Sequence, residues 1–253
     1  MNRRLWIIFA VLVLATLGGL IWWKNTSNNE SSTSYVEHLD GSRLITVDDI
    51  VTAKNKFANG GEAADDFTID KSTLIPDHYI GNPNAKVTVI EYEDFACTAC
   101  NSFAQSATKI HDDYKDKVLF IYRNFNIGQN TSALSESAAE AAFLLGGRET
   151  YWKMHDLIFS DETCVEGMDK ETCRNTVIGY AKDLKLDGDK FKEALDNYAD
   201  NGILAKIQRD KKLGSKAGVT ATPTWFINGE KAEGASASNM RSLIDAALKQ
   251  AKD

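Results

Sequence analysis

The chain has 253 residues, 43% of them hydrophobic and 26% charged, with a formal net charge of −7; these values exclude a disordered, collagenous or small disulfide-knot protein. The charge is unevenly placed, +2 over residues 1–34 and −9 over residues 35–253, so the body suits neither nucleic acid nor an anionic lipid surface as its main partner. At roughly 100 to 200 residues per domain, the length leaves room for an N-terminal appendage and one domain, with or without an insertion.

Leu5 to Trp23 is a run of 19 residues without a charged side chain. At about 1.5 Å per residue it approaches the roughly 30 Å of hydrocarbon in a bilayer. Arg3 and Arg4 precede it and only Lys24 follows closely, which leaves the N-terminus in the cytoplasm and sends the body outside. The expectation is an uncleaved anchor over residues 1–24. The competing reading is a cleaved signal peptide, although no A-x-A site follows the run. Either way the body is exported, into a compartment where disulfides persist.

Asn25 to Ser34 is almost entirely Asn, Ser and Thr and reads as a tether, opening a poorly defined extension to residue 75. Within it, Val47 to Phe57 suits a short helix and Phe67 to Ile69 a brief strand, but neither signal is strong. Asp65, Asp66, Asp70 and, just beyond, Asp77 read as a solvated acidic face rather than a calcium cage.

From residue 76 the patterns sharpen. Val87 to Tyr92 is a β-branched run opened by the turn residues Gly81 to Asn84, the pattern of a buried strand. A helical spacing of Phe103, Ala107 and Ile110 follows Cys97, and Val118 to Phe125 is a second strand. From about residue 130 to 217 apolar residues recur at helical spacing, which predicts a helical block: Leu134 to Leu145 closed by Gly146-Gly147, Glu149 to Phe159, Thr172 to Leu186, and Lys190 to Tyr198 with Asp187 as N-cap. Strands resume at Thr224 to Ile227, Asn228-Gly229 signals a hairpin, and an amphipathic helix begins near Ser238. Trp225 and Phe226 are expected only to pack.

The four cysteines fall into two pairs. Cys97-Thr98-Ala99-Cys100 sits at a strand-to-helix junction, where unpaired backbone N–H groups and the helix dipole favour a thiolate on Cys97. The thiolate is the reactive form in disulfide exchange. Cys164 and Cys173, inside the helical block, read as a structural disulfide closing a short loop, worth about 2 to 3 kcal/mol in the chain-entropy model. His38, His78, His111 and His155 show no two-ligand spacing, so no metal is expected. His155 reads as a packed, hydrogen-bonded residue.

Three segments together, GNPNAKVTVIEYEDFACTAC over residues 81–100, YWKMHDLIF over 151–159 and GVTATPTWFING over 218–229, resemble the DsbA-type thiol-disulfide oxidoreductases, most closely the membrane-tethered forms of Gram-positive and related bacteria. The resemblance covers residues 76–253 and implies an α/β, thioredoxin-like fold with an inserted helical domain, here preceded by an N-terminal transmembrane helix. It implies Cys97 as nucleophile, Cys100 as resolving cysteine and Pro223 as a cis-proline facing them. Thr222, Thr98 and Ala99 would line the substrate site, with Thr222 offering backbone groups to an extended client. Glu91, six residues before Cys97, would be the buried acid relaying a proton to Cys100. The implied substrates are exported proteins with free cysteines, and the implied partner is a membrane protein of the DsbB or VKOR type that reoxidises the pair. The redox-active disulfide is then the whole of the chemistry, with no organic cofactor.

The sequence departs from the most oxidising members between the cysteines, where Thr98-Ala99 supplies neither proline nor histidine. A helix dipole is worth about 0.3 to 2 kcal/mol, whereas lowering a thiol from about 8.5 to about 5 needs roughly 5 kcal/mol. Hydrogen bonds from the Ala99 and Cys100 amides, with Thr98 Oγ as a further candidate, must supply the difference. The expectation is a depressed, though not extreme, Cys97 pKa.

Overall fold

The computed structural model of this chain describes residues 43–50, 74–232 and 236–251. The expected membrane helix over residues 1–24, the tether that follows it and the brief strand at Phe67 to Ile69 lie outside them. No helix among the described residues is long and apolar enough to cross a membrane.

Two parallel strands, β2 (Val87–Glu93) and β3 (Val118–Asn124), form the middle of a five-stranded sheet. Parallel neighbours need a crossover, supplied by α1 (Thr98–Tyr114). On the far side of β3 lies β1 (His78–Gly81), and beyond β2 come β4 (Thr224–Ile227) and β5 (Glu230–Ala232); all three join antiparallel, giving the order β1-β3-β2-β4-β5. Four residues are too few for a sequence pattern to reveal β1. It ends at Gly81 with φ +94°, where an added Cβ would stand 2.1 Å from the Val118 carbonyl oxygen, so only glycine fits. The β4–β5 turn has positive φ at both Asn228 and Gly229, the geometry that a two-residue primed hairpin demands.

Helices occupy the chain between β3 and β4: α2 (Ser132–Ser160), α3 (Lys170–Asp183), α4 (Gly188–Asp196) and α5 (Ile203–Lys216). The span of α2 is two helices joined across a non-helical kink at Gly147, so the two helices expected on either side of Gly146-Gly147 are both present. Gly147 has φ +75° and ψ −170°, a backbone conformation that glycine adopts without a Cβ penalty. Asp187 caps α4 as expected, accepting from the amides of Asp189 and Lys190 at 3.1 Å each. The chain closes with α6 (Ala237–Gln250).

Strand alternation divides the core. Val87, Val89, Val118, Phe120, Trp225 and Ile227 face Ile110 of α1 and Met240 and Ile244 of α6. The opposite face carries Ile90, Tyr92, Leu119, Ile121 and Phe226. Nearby, Ile45 and Ile50 from residues 43–50 pack with Leu213 of α5, so part of the weakly patterned extension docks on the domain.

A buried ionic layer joins the helical insertion to the sheet. Asp77, expected on a solvated acidic face, is 2% exposed. It pairs with Arg123 (2.7 Å) and Arg209 (3.2 Å) because β1, β3 and α5 converge on it. Its carboxylate also accepts the Ile45 amide at 2.9 Å. Burial alone would raise the Asp77 pKa, but Arg123, Arg209 and Lys206 outweigh it and hold the group at about 2. Lys206 pairs with Asp210 and Glu140, and Glu140 with His78 at 2.7 Å.

Candidate active site

The loop between β2 and α1 is fixed from inside. Asp94, fully buried, accepts the Ala96 amide (2.9 Å) and the Ile127 amide (2.9 Å) and the Ser132 hydroxyl (2.8 Å). Its own carbonyl accepts the Cys97 amide at 2.9 Å. Held this way, Cys97 becomes the N-cap of α1, with Thr98 and Ala99 exposed and Cys100 fully buried. The two cysteines are not bonded to one another.

Across from them the Thr222-Pro223 peptide is cis. The turn brings the Thr222 carbonyl to Cys97, whose thiol donates to it at 3.5 Å. Among the described residues the Thr222 hydroxyl has no other partner, leaving it able to donate to the thiolate.

The Cys97 pKa is pushed down to about 5. The largest cause is a hydrogen bond from the Cys100 thiol; burial opposes it, and Thr222 and the amides of Cys100 and Ala99 add to it. The Cys100 thiol moves the opposite way, far above the ordinary thiol range, chiefly because burial penalises its anion. One sulfur is therefore a thiolate at neutral pH on a largely buried residue that keeps 7% of its surface exposed, and the other a sealed thiol with none. Iodoacetamide should alkylate only Cys97, with a midpoint near pH 5, because the unreactive thiol predominates below that pH and the thiolate above it. A midpoint above pH 8 would contradict the geometry.

Glu91 is buried as expected, but its carboxylate is taken by His111 Nε2 at 2.7 Å. Sequence reasoning missed Glu93, also buried, although strand alternation places it on the same face as Val87, Val89 and Glu91. Trp225, expected only to pack, donates its indole N–H to Glu93 Oε1 at 3.0 Å. His155 packs edge-on against Phe95, Tyr122 and Phe159 and pairs with Asp156 at 2.9 Å.

Cys164 and Cys173 are joined in a disulfide. Their loop lies beside the active cysteines, since the Glu166 amide donates to the Ala96 carbonyl (2.8 Å) and the Thr131 hydroxyl to the Cys164 carbonyl (2.5 Å). Among the described residues no cluster of three or more His, Cys, Asp or Glu side chains is placed to hold a metal ion.

Residues 73–246 match the family Thioredoxin_4, described as thioredoxin. Among curated proteins, the Na(+)/H(+) antiporter NhaA 1 of Salinispora arenicola is 31% identical over 158 residues, which is 62% of this chain and 22% of the antiporter. NhaA of Herminiimonas arsenicoxydans is 28% identical over 158 residues, again 62% of this chain and 23% of that protein. The chain thus spans about a fifth of the length of these curated relatives. Among solved structures, oxidised BdbD from Bacillus subtilis aligns with a TM-score of 0.60 at 25% identity, covering 68% of this chain and 93% of BdbD. The thiol-disulfide exchange protein alpha-DsbA2 from Wolbachia pipientis has the same fold, with a TM-score of 0.58 at 24% identity over 67% of this chain and 86% of that one.

Proposed function

The chain belongs to the thioredoxin family, and from that premise we propose that it is a DsbA-like protein-disulfide oxidoreductase, an extracytoplasmic oxidase that introduces disulfides into exported proteins. The observation that supports this direction is the Cys97 thiol at about 5. A stabilised thiolate favours the reduced pair over the disulfide, so the disulfide is readily given away.

A client thiolate attacks Cys97 Sγ of the oxidised pair, the Cys97–Cys100 bond breaks, and Cys100 leaves with the electron pair. A second client thiolate then attacks the client sulfur of the mixed disulfide and expels Cys97, a good leaving group because its pKa is low. Cys100, protonated at neutral pH, does not attack back, which gives the second client thiolate time to arrive. The cis turn at Thr222-Pro223 suits recognition by backbone pairing, the mode for an enzyme with many clients.

In this reading residues 1–24 anchor the protein with the catalytic domain outside, and a membrane partner of the DsbB or VKOR type returns the pair to its disulfide. No metal or organic cofactor is invoked. A second reading, a reductase or isomerase, uses the same residues with the electrons reversed. Equilibration with glutathione separates the two: the oxidase reading expects a reduction potential above about −200 mV, and a value near that of thioredoxin, about −270 mV, overturns it.

A further inference from the structure

Two carboxyl groups, Glu91 and Glu93, lie on the face of β2 that α1 covers, and only one of them is held by a basic side chain. The chain turns back between β2 and α1, so Cys100 in the first turn of α1 lies over the end of β2. His111 follows eleven residues later on the same helix, about 16 Å along its axis. Glu91, bound to His111 at 2.7 Å and flanked in register by Tyr122 and Trp225, is therefore directed to the far end of the helix, away from the cysteines. Glu93 is one pleat nearer to them. Its Oε1 is anchored by Trp225, and among the described residues its carboxyl makes no other hydrogen bond or ion pair. Its charge acts on both Cys97 and Cys100. Tyr122, whose hydroxyl is buried without a partner among the described residues, packs in the same cluster as both cysteines.

We propose that Glu93, not Glu91, is the acid-base group that exchanges a proton with Cys100 when the Cys97–Cys100 bond opens and closes. The proposal rests on the reading that this pair turns over. When an external thiolate attacks Cys97, the electron pair of the broken bond goes to Cys100 Sγ, which takes the proton of the Glu93 carboxyl. The products are the mixed disulfide at Cys97, the Cys100 thiol and the Glu93 carboxylate. On closing, Cys100 returns its proton to Glu93 and attacks the Cys97 sulfur, releasing the other thiolate. A donor is needed because the sealed Cys100 is a poor leaving group as an anion. Burial, reinforced by the neighbouring Glu91 charge, pushes Glu93 up to about 8, so the acid holds its proton at neutral pH.

The test uses the full oxidised chain and dithiothreitol, with the opened pair quantified by quenched alkylation and mass spectrometry. Expressed per dithiothreitol thiolate, the wild-type rate constant is expected to be flat below about pH 8 and to fall above it, as the donor ionises. Glu93→Gln should lower the plateau about 10- to 100-fold and remove the break, whereas Glu91→Gln should retain the break. Glu93→Asp, shorter but still an acid, should recover part of the rate and keep a break. A purely structural role predicts the reverse ranking, because glutamine matches glutamate in shape and can still accept from Trp225. Wild-type rate and break in Glu93→Gln, loss of the break in Glu91→Gln alone, or Glu93→Gln outperforming Glu93→Asp would each overturn the proposal. A wild-type pair that dithiothreitol does not open at all would overturn the underlying reading together with it.

Discussion

Cys97→Ala is expected to abolish disulfide transfer to a reduced client, by at least about 1,000-fold; Cys100→Ala, which likewise has no disulfide to give, should instead be trapped as a mixed disulfide through Cys97 when it is offered oxidised glutathione. The difference follows from burial. Cys97 caps α1 beside the exposed Thr98 and Ala99, while Cys100 has no exposed surface. An external partner can therefore reach one sulfur only: in Cys100→Ala the Cys97 thiolate attacks oxidised glutathione, expels one glutathione thiolate and keeps the other as a mixed disulfide, which no second cysteine is present to release. The assay is oxidation of a reduced, unfolded cysteine-containing protein, followed by non-reducing electrophoresis and intact mass. A Cys97→Ala protein that retains more than about 1% of the rate would place the nucleophile elsewhere. Retention of the cellular role without that rate would favour a binding or chaperone module.

The largest stability effect is expected from Arg123. Its fully buried guanidinium bonds to both Asp77 oxygens, to the Tyr92 hydroxyl at 3.0 Å and to the Arg43 carbonyl at 2.6 Å. Arg123→Met removes all of these and leaves a buried carboxylate with less compensation, which typically costs about 3 to 5 kcal/mol. Urea unfolding should show the loss as a lower midpoint, and a change under 1 kcal/mol would mean that Arg209 alone suffices. The pH dependence has a definite sign. The folded Asp77 pKa is depressed to about 2, so its stabilising contribution is complete above the ordinary carboxylate range. It is lost as pH falls from about 4 toward 2, and Arg123→Met should shrink that acid-dependent part.

Much of the active site was legible because it is local in the chain. A β-branched run, a CxxC at its end and a helical spacing beyond it place Cys97 and Cys100 without any tertiary information. The cis bond at Pro223 came from the resemblance, since spacing alone does not select an isomer. What stayed hidden depends on long-range pairing. Asp77, Arg123 and Arg209 are separated by 46 and 86 residues, and the local pattern around Asp77 is indistinguishable from an exposed acidic stretch. The same holds for the acids under α1. Strand alternation puts Glu91 and Glu93 on one face, but only the fold brings His111 to the first and Trp225 to the second. The β1 strand was missed for a different reason: at four residues, it owes its place to pairing with β3 rather than to any pattern of its own.

The outer strands of the sheet bear on how such a protein survives its own clients. An enzyme that handles unfolded chains works in a solution of unpaired backbone, where a long, flat sheet margin would become a template for aggregation. Here one margin is the four-residue β1, and the other is the three-residue β5, whose Glu230 and Lys231 are exposed and charged. Among the described residues, neither offers enough consecutive groups to seed a ladder. Stray β-pairing is therefore discouraged at both margins, and in the proposed oxidase reading client contact falls to the short turn at Thr222, next to Cys97.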